Sequence, residues 1–301
     1  TGYFNPFKII DNGSTIKITT LHGNGPKANF SRSEKFDSFN SLEQLKEHLS
    51  FDYLNYPSSY SVENVGKKSH LLPNNKIINL GYPRCDQFFN KDFVKKRFER
   101  KSYTKYLFNN FQKESKLIFY TPTWRPYDFN FPLYEMEGFT EDRFNDWLSK
   151  NNYFFVYSIH TALKPKNLLK DTNRVCFLDM NKDPFLDINN FMLEVDILLN
   201  DYSTTSTEFA ILNKPQIFFM PDYDKYMNEK GFVEDYRDIL PGKEILNFSE
   251  FIKTISTISE NENNYLNEYY KINRELLQKY YDLENGSSSE KFSNFIEKIL
   301  S

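Results

Sequence analysis

Residues 196–221 read DILLNDYSTTSTEFAILNKPQIFFMP. The apolar run 197–199 is short and dense, as in a strand buried on both faces of a parallel sheet. Asn200 and Asp201 end it. The next six residues, Tyr202, Ser203, Thr204, Thr205, Ser206 and Thr207, all carry hydroxyls. Glu208 follows, and Phe209, Ala210 and Leu212 continue at helical spacing. Lys214-Pro215 stops the helix, because proline lacks an N–H and restricts the residue before it. Residues 217–220 read as the next strand. Strand, hydroxyl-rich turn, helix and strand make a βαβ unit.

The turn lies at the carboxyl end of a strand, where open α/β sheets take their ligands. Unpaired N–H groups at a helix start attract anions, and Ser and Thr hydroxyls add donors. Neither a glycine fingerprint nor a Walker lysine accompanies it, so a phosphate cradle here is built from hydroxyls. Ordinary N-capping, worth about 1 kcal/mol, accounts for any single one of them. Six in succession at a strand end point to a ligand.

Working outward, the same alternation recurs. Strands are expected over 15–20, 76–80, 117–120, 153–159 and 173–178, and helices over 41–50, 86–98, 139–150, 189–194, 248–259, 264–281 and 290–300. Strands alternating with helices imply a parallel, doubly wound α/β sheet. Residues 222–242 form a polar connection with turn residues and read as a flexible lid. The chain has 301 residues, room for two domains. Hydrophobic residues make up 39% and charged residues 26%, a globular composition. The net charge of −3 gives no electrostatic case for nucleic acid. Phe and Tyr are abundant, at 30 and 21 residues, which fits an AT-rich coding bias better than an aromatic membrane belt. Cys85 and Cys176 have no metal-site spacing. No apolar run reaches the about 18 residues of a membrane span, and no signal peptide is visible. The chain starts at Thr1 rather than Met, which fits a piece of a longer protein.

Two histidines end strands beside positive charge. His22 sits in Leu21-His22-Gly23-Asn24-Gly25-Pro26-Lys27, where two glycines leave it little steric cover. His160 closes the strand 153–159, with Lys164 and Lys166 after it. Each suits a general base or acid beside a phosphate, and each reads equally as a loop histidine with no chemistry. Arg84 follows a Gly-Tyr-Pro turn, and Arg125 closes 120–125 after a strand. Residues 91–105 carry Lys95, Lys96, Arg97, Arg100, Lys101 and Lys105 among aromatics. They read as a solvated linker helix, or as a basic helix touching an anionic membrane surface or polyanion.

With these residues in place, the chain resembles the CDP-glycerol glycerophosphotransferase family, the teichoic acid and capsule polymerase type. LHGNGPK at 21–27 resembles that family's WHGTPLK, GYPRCD at 81–86 its GYPRND, and YTPTWR at 120–125 its YAPTWR. NDYSTTSTEFAILNKPQIFF resembles TDYSSVMFDFALLDKPIIFY, and residues 230–242 and 285–292 resemble its GFYFDFEEEAPG and DGKASERV segments. The ordered set covers nearly the whole chain. Leu21, Asn24 and Thr204 depart mildly from the pattern. The histidine segment also comes early, at residue 21, so the amino-terminal domain is expected to be incomplete.

The resemblance implies a GT-B-like fold of two Rossmann-like domains. Residues 1–105 would form the acceptor side, 106–284 the CDP-donor side, and 285–301 a terminal helix crossing back. The implied reaction moves glycerol or ribitol phosphate from its CDP ester to a hydroxyl of a growing polymer, releasing CMP. His22 would be the base and His160 would meet the diphosphate. Ser203, Thr204 and Thr205 would hold donor phosphates, with Arg125 and Lys164 behind them. Gly23, Lys27 and Arg84 would lie in the acceptor or phosphate neighbourhood. No carboxylate cluster suggests a metal, so no metal and no cofactor are expected. The implied location is cytoplasmic, at the inner face of the cell membrane, with a membrane surface among the partners. A transferase of a sugar or sugar phosphate from another nucleotide, and a non-catalytic module of a larger assembly protein, are the alternatives.

Overall fold

The computed structural model describes residues 15–20, 25–27, 50–69, 73–125, 127, 130–159, 166–179, 187–282 and 286–301. They divide into two compact units. One holds 84–223 and 237–276, and the other holds the chain up to Pro83, 224–236 and 277–301.

The larger unit is built on six parallel strands: β4 (Lys116–Tyr120), β5 (Tyr153–Tyr157), β6 (Val175–Phe177), β7 (Ile197–Asn200), β8 (Gln216–Phe219) and β9 (Lys243–Ile245). Their order is β6-β5-β4-β7-β8-β9. Counted within this sheet, that is the 3-2-1-4-5-6 order of dinucleotide-binding folds, with its reversal between β4 and β7. The register sets Ile118 beside Ile197 and Tyr120 beside Leu199.

Strands with no polar face need cover on both sides, and aromatic residues supply it. On one face Ile118, Tyr120, Phe155, Tyr157, Ile197, Leu199, Ile217 and Phe219 pack with Phe144 and Leu148, and with Phe248, Phe251 and Ile255. On the other, Phe119 meets Phe191 edge-on at 4.9 Å, and Phe154 meets Phe108 and Phe111.

From Asn90 onward, the α-helices among the described residues are α1 (Lys91–Arg100), α2 (Ser102–Leu107), α3 (Glu141–Lys150), α4 (Ile188–Met192), α5 (Thr205–Phe209), α6 (Tyr223–Lys230), α7 (Phe248–Glu260), α8 (Glu262–Tyr281) and α9 (Ser288–Leu300). Asn90, Thr140 and Asn247 cap α1, α3 and α7 by accepting the N–H three residues on. Residues 84–105, grouped with the first domain on sequence, pack in the larger unit. Buried Glu194 draws them there by accepting N–H bonds from Tyr103 and Thr104 and pairing with Arg97, while Lys101 pairs with Asp196.

The smaller unit is a parallel sheet, β1 (Ile18–Thr19), β2 (Tyr53–Tyr56) and β3 (Ile77–Asn79), in that order. β2 falls where the sequence pattern predicts no strand. The strand has no alternation, and Asn55 stands in its middle. That asparagine is fully buried because its amide donates to Gly81 O at 2.7 Å and its carbonyl accepts from Leu80 N–H at 2.8 Å. Gly81 has φ 76, a conformation that favours glycine. Phe295 of α9 meets Tyr53 edge-on at 5.0 Å, so the last helix packs on this sheet. The expected lid, 222–242, is no loose loop: it contains α6 and a 3₁₀ turn at Arg237–Ile239, and β9 follows it directly.

Gly242 enters β9 against Gln216. A Cβ there would lie 2.0 Å from Gln216 O. The same oxygen accepts from Tyr265 OH at 2.6 Å, which in turn accepts Lys243 N–H at 2.9 Å. Gly242→Ala is therefore expected to cost about 2–3 kcal/mol, seen as a lower urea midpoint with an unchanged slope. A wild-type midpoint would contradict this packing.

Candidate active site

The carboxyl ends of β4 and β7 flank the reversal of strand order, and one carboxylate ties them together. Asp201, fully buried, directly follows β7. It accepts the Thr123 N–H on both oxygens at 3.0 Å, the Thr123 hydroxyl at 2.7 Å, and the Tyr202 N–H. It also takes Arg125 Nη1 at 2.6 Å. Arg125, 3% exposed, reaches on to Asp222, which follows β8: Nε and Nη2 each donate to it at 2.9 Å. Tyr127 OH and Tyr202 OH donate to the same carboxylate at 2.7 and 3.0 Å, and the guanidinium lies 5.2 Å from the Tyr202 ring centre.

Electrostatics follow from this arrangement. Burial pushes the Asp222 carboxyl up, but its bonds from Arg125, Tyr127 and Tyr202 outweigh burial and hold it below the usual range. Tyr202 is pushed up by burial and by the facing Asp222 and Asp201. The Tyr120 hydroxyl, fully buried on the same side, is pushed up by burial and Asp201.

The hydroxyl run sorts itself by exposure. Ser203, Thr204 and Thr205 are half-exposed, while Tyr202, Ser206 and Thr207 are buried. Ser203 Oγ lies 2.9 Å from Thr205 Oγ1 and accepts the Thr205 N–H at 3.3 Å, and the buried Thr207 hydroxyl donates to Thr204 O. The helix that follows is shorter than its pattern suggests. Residues 205–209 are α-helical, 210–212 tighten into a 3₁₀ turn, and Asn213 ends them at φ 49. Hydroxyls rather than a long helix dipole are the main donors here.

Glu208, 7% exposed, takes Arg84 Nε at 3.0 Å and Nη2 at 2.7 Å. Burial raises its carboxyl above the usual range, although Arg84 opposes this. Thus Ser203, Thr204, Thr205, Arg125 and Arg84 all belong to the larger unit. Lys27 belongs to the smaller unit, in an antiparallel bridge with Phe232. His22, Gly23, His160 and Lys164 lie outside the described residues, as do His48 and His70. Sequence reasoning missed Asp201, Asp222, Glu208 and Thr123 as site residues. A signal was present: an aspartate directly after β7, another close behind β8, and an arginine after β4.

The fold is similar to that of a putative UDP-N-acetylglucosamine 2-epimerase from Listeria monocytogenes at TM-score 0.54 and 13% identity, over 99% of this chain and 78% of that one. The wall teichoic acid polymerase TagF is more similar, at TM-score 0.71 and 24% identity over 94% of this chain and 68% of that one. The fold is GT-B-like. The profile of the CDP-Glycerol:Poly(glycerophosphate) glycerophosphotransferase family matches residues 1–298, and the chain belongs to that family. Its relatives include the teichoic acid glycerol-phosphate primase of Bacillus subtilis, 28% identical over 94% of this chain and 68% of that protein. The teichoic acid poly(ribitol-phosphate) polymerase of Bacillus spizizenii is 36% identical over 55% of this chain and 26% of that one. The teichoic acid glycerol-phosphate transferase of Staphylococcus aureus is 29% identical over 84% and 62%. The chain thus spans at most about two thirds of the length of these relatives.

Asp201→Asn leaves the Arg125 charge with Asp222 alone and is expected to cost about 3 kcal/mol at pH 7. Asp222→Asn, at a partly exposed carboxylate, is expected to cost less. Because the folded Asp222 carboxyl titrates below its unfolded value, its stabilisation is present above pH about 4 and lost as pH falls through that lowered value. Urea melts at pH 7 and pH 3 measure both effects. A melt of Asp201→Asn within about 0.5 kcal/mol of wild type would remove the carboxylate from its central place.

Proposed function

We propose that this chain carries the donor-binding and transfer machinery of a CDP-polyol phosphotransferase. The substrate would be CDP-glycerol or CDP-ribitol, and the acceptor a hydroxyl of a growing teichoic-acid or capsule polymer. The observation that carries this reading is the set Ser203, Thr204 and Thr205. These are the half-exposed hydroxyls of the run, set at the strand-order reversal beside the Asp201 tie, within a motif that matches the family. Open α/β sheets bind nucleotides at that place. Relatives include both a glycerol-phosphate primase and a ribitol-phosphate polymerase, and a TagF variant crystal was soaked with CDPG.

The transfer balances as one displacement. The acceptor oxygen attacks the phosphorus that carries the polyol, and a new P–O bond forms. The bond from that phosphorus to the bridging oxygen breaks, and CMP leaves with that oxygen. The acceptor proton passes to a base, the role assigned to His22. His160 meets the leaving phosphate, and protonated imidazole would offset its charge. The three hydroxyls and their backbone N–H groups hold the diphosphate, with Lys164 adding charge. Arg125 acts behind them by fixing Tyr202. The larger unit is assigned to the donor and the smaller unit to the acceptor side, with Lys27 and Gly23 near the acceptor. The enzyme would work at the cytoplasmic face of the membrane. None of the described helices is long and apolar enough to cross a bilayer.

The test is CMP release from CDP-glycerol and CDP-ribitol with a polyol-phosphate oligomer as acceptor. One donor is expected to turn over, with losses of about a thousandfold in His22→Ala and His160→Ala. Thr204→Val is expected to raise the donor KM more than it lowers kcat. Activity is expected to survive EDTA. CMP or UDP release from a nucleotide sugar alone would move the assignment to a sugar transferase, and binding without turnover of any donor would make the chain a binding module.

A further inference from the structure

Three buried side-chain amides hold the main chain of the hydroxyl-bearing turn and of the helix behind it, all within the larger unit. Asn200 Nδ2 donates to Ser203 O at 3.1 Å, Gln216 Nε2 to Ser206 O at 3.1 Å, and Asn273 Nδ2 to Ala210 O at 3.3 Å. They come from three elements: the end of β7, the start of β8 and the middle of α8. Asn200 and Gln216 are 0% and 1% exposed, and Asn273 is 8% exposed. Each leaves its own amide oxygen, Asn200 Oδ1, Gln216 Oε1 or Asn273 Oδ1, buried with no hydrogen-bond partner among the described residues. Yet each carbonyl they reach already has a main-chain donor. Ser206 N–H donates to Ser203 O and Asn213 N–H to Ala210 O, both at 3.1 Å, and Ala210 N–H donates to Ser206 O.

A carbonyl oxygen has room for two donors, so each amide adds a second bond to an oxygen that is already satisfied. The unpartnered buried oxygen is a cost that a Leu or Met of similar shape lacks. Stability therefore gains little from these amides, and their effect is on geometry. α5 has five residues, too few to support itself as a helix. The peptide group is planar, so fixing Ser203 O also fixes the group that joins Ser203 to Thr204. We infer that Asn200 and Gln216 are positioning residues that fix the backbone from Ser203 to Ser206. With it they fix the hydroxyls of Ser203, Thr204 and Thr205 for the diphosphate of a nucleotide donor. Asn273 makes the same bond at Ala210, beyond α5, and holds the far end of the helix. The donor's identity rests on the proposed function, whereas the fixing of the backbone does not.

The experiment compares the whole chain with Asn200→Leu, Gln216→Met and Asn273→Leu in three measurements. Urea midpoints of Asn200→Leu and Gln216→Met are expected at or above wild type with an unchanged slope, because an unpaired oxygen is removed and no carbonyl is orphaned. Hydrogen exchange read by mass spectrometry is expected to speed up about tenfold over 206–208 in both, while β4 and β5 keep wild-type rates. With a CDP-polyol as donor and a polyol-phosphate oligomer as acceptor, both are expected to raise the donor KM about fivefold with acceptor KM unchanged. Asn273→Leu is expected to move the donor KM by less than about twofold. A lowered midpoint with faster exchange throughout the sheet would make the amides structural and overturn the inference, as would unchanged exchange over 206–208 in folded protein. An equal rise in acceptor KM, or an effect of Asn273→Leu on the donor as large as that of Asn200→Leu, would overturn the positioning of the hydroxyls. Should Asn200→Leu fail to fold, Gln216→Met carries the same test one turn further on, and unchanged exchange there overturns the inference. If the wild type turns over no CDP-polyol, the exchange measurement still decides the fixing of the backbone, and the failure belongs to the functional assignment.

Discussion

The Asp201 carboxylate is the constraint on which the candidate site of the larger unit depends. Where the strand order of a doubly wound sheet reverses, the chains leaving β4 and β7 diverge, and their polar backbone would be left open. Asp201 closes that point by accepting from Thr123 backbone and side chain, from Tyr202 N–H and from Arg125. A buried carboxylate is expensive unless it is paired and hydrogen-bonded, and here it is both. In exchange, the turn after β7 starts from a fixed backbone. Ser203, Thr204 and Thr205 inherit that fixity, which preorganised phosphate binding requires.

The heavy aromatic content has a physical explanation within the fold. Phe119, Phe131, Phe154, Phe155, Tyr120 and Tyr157 are fully buried, joined largely by edge-on and tilted contacts. Such pairs add to area burial when ring edges meet ring faces. Among the described residues the exposed large aromatics are Phe93, Tyr106 and Tyr270. Most of the aromatic surface is therefore spent on packing the larger sheet, and composition alone is a poor guide to a membrane role.

The legible part of the fold was the part governed by local pattern. β4, β5 and β7 are continuous apolar runs, and each was found within a residue or two, as was α7 from its spacing. β2 was invisible because Asn55 is made tolerable by Gly81 and Leu80, partners about 25 residues away in the chain. β9 was missed because Lys243 and Glu244 give an edge strand no apolar signature. In the site, the hydroxyl run was readable because six like residues are improbable at a strand end. The Asp201–Arg125–Asp222 link was not, since three strand ends converge only once the sheet order is known. Residues 222–242 looked like a lid because polar composition reports exposure, not tethering. Val233 and Glu234 are single residues whose partners lie in other segments.

Charge accounting narrows what can meet a diphosphate. Arg125 is shared between two carboxylates, and Arg84 gives two nitrogens to Glu208. A cation paired in this way adds little net positive field unless its carboxylate is released, and release from a buried site is costly. The two arginines that the sequence offers as phosphate ligands are thus better suited to hold the turn than to neutralise the donor. Neutral donors remain at the turn itself, the three half-exposed hydroxyls. Neutral hydroxyls bind a phosphate in its ground state without overstabilising it, which leaves net charge to be supplied where the leaving group develops it. That demand falls on groups able to change their charge during the reaction. Histidine, titrating near neutrality, meets it, and a paired arginine does not.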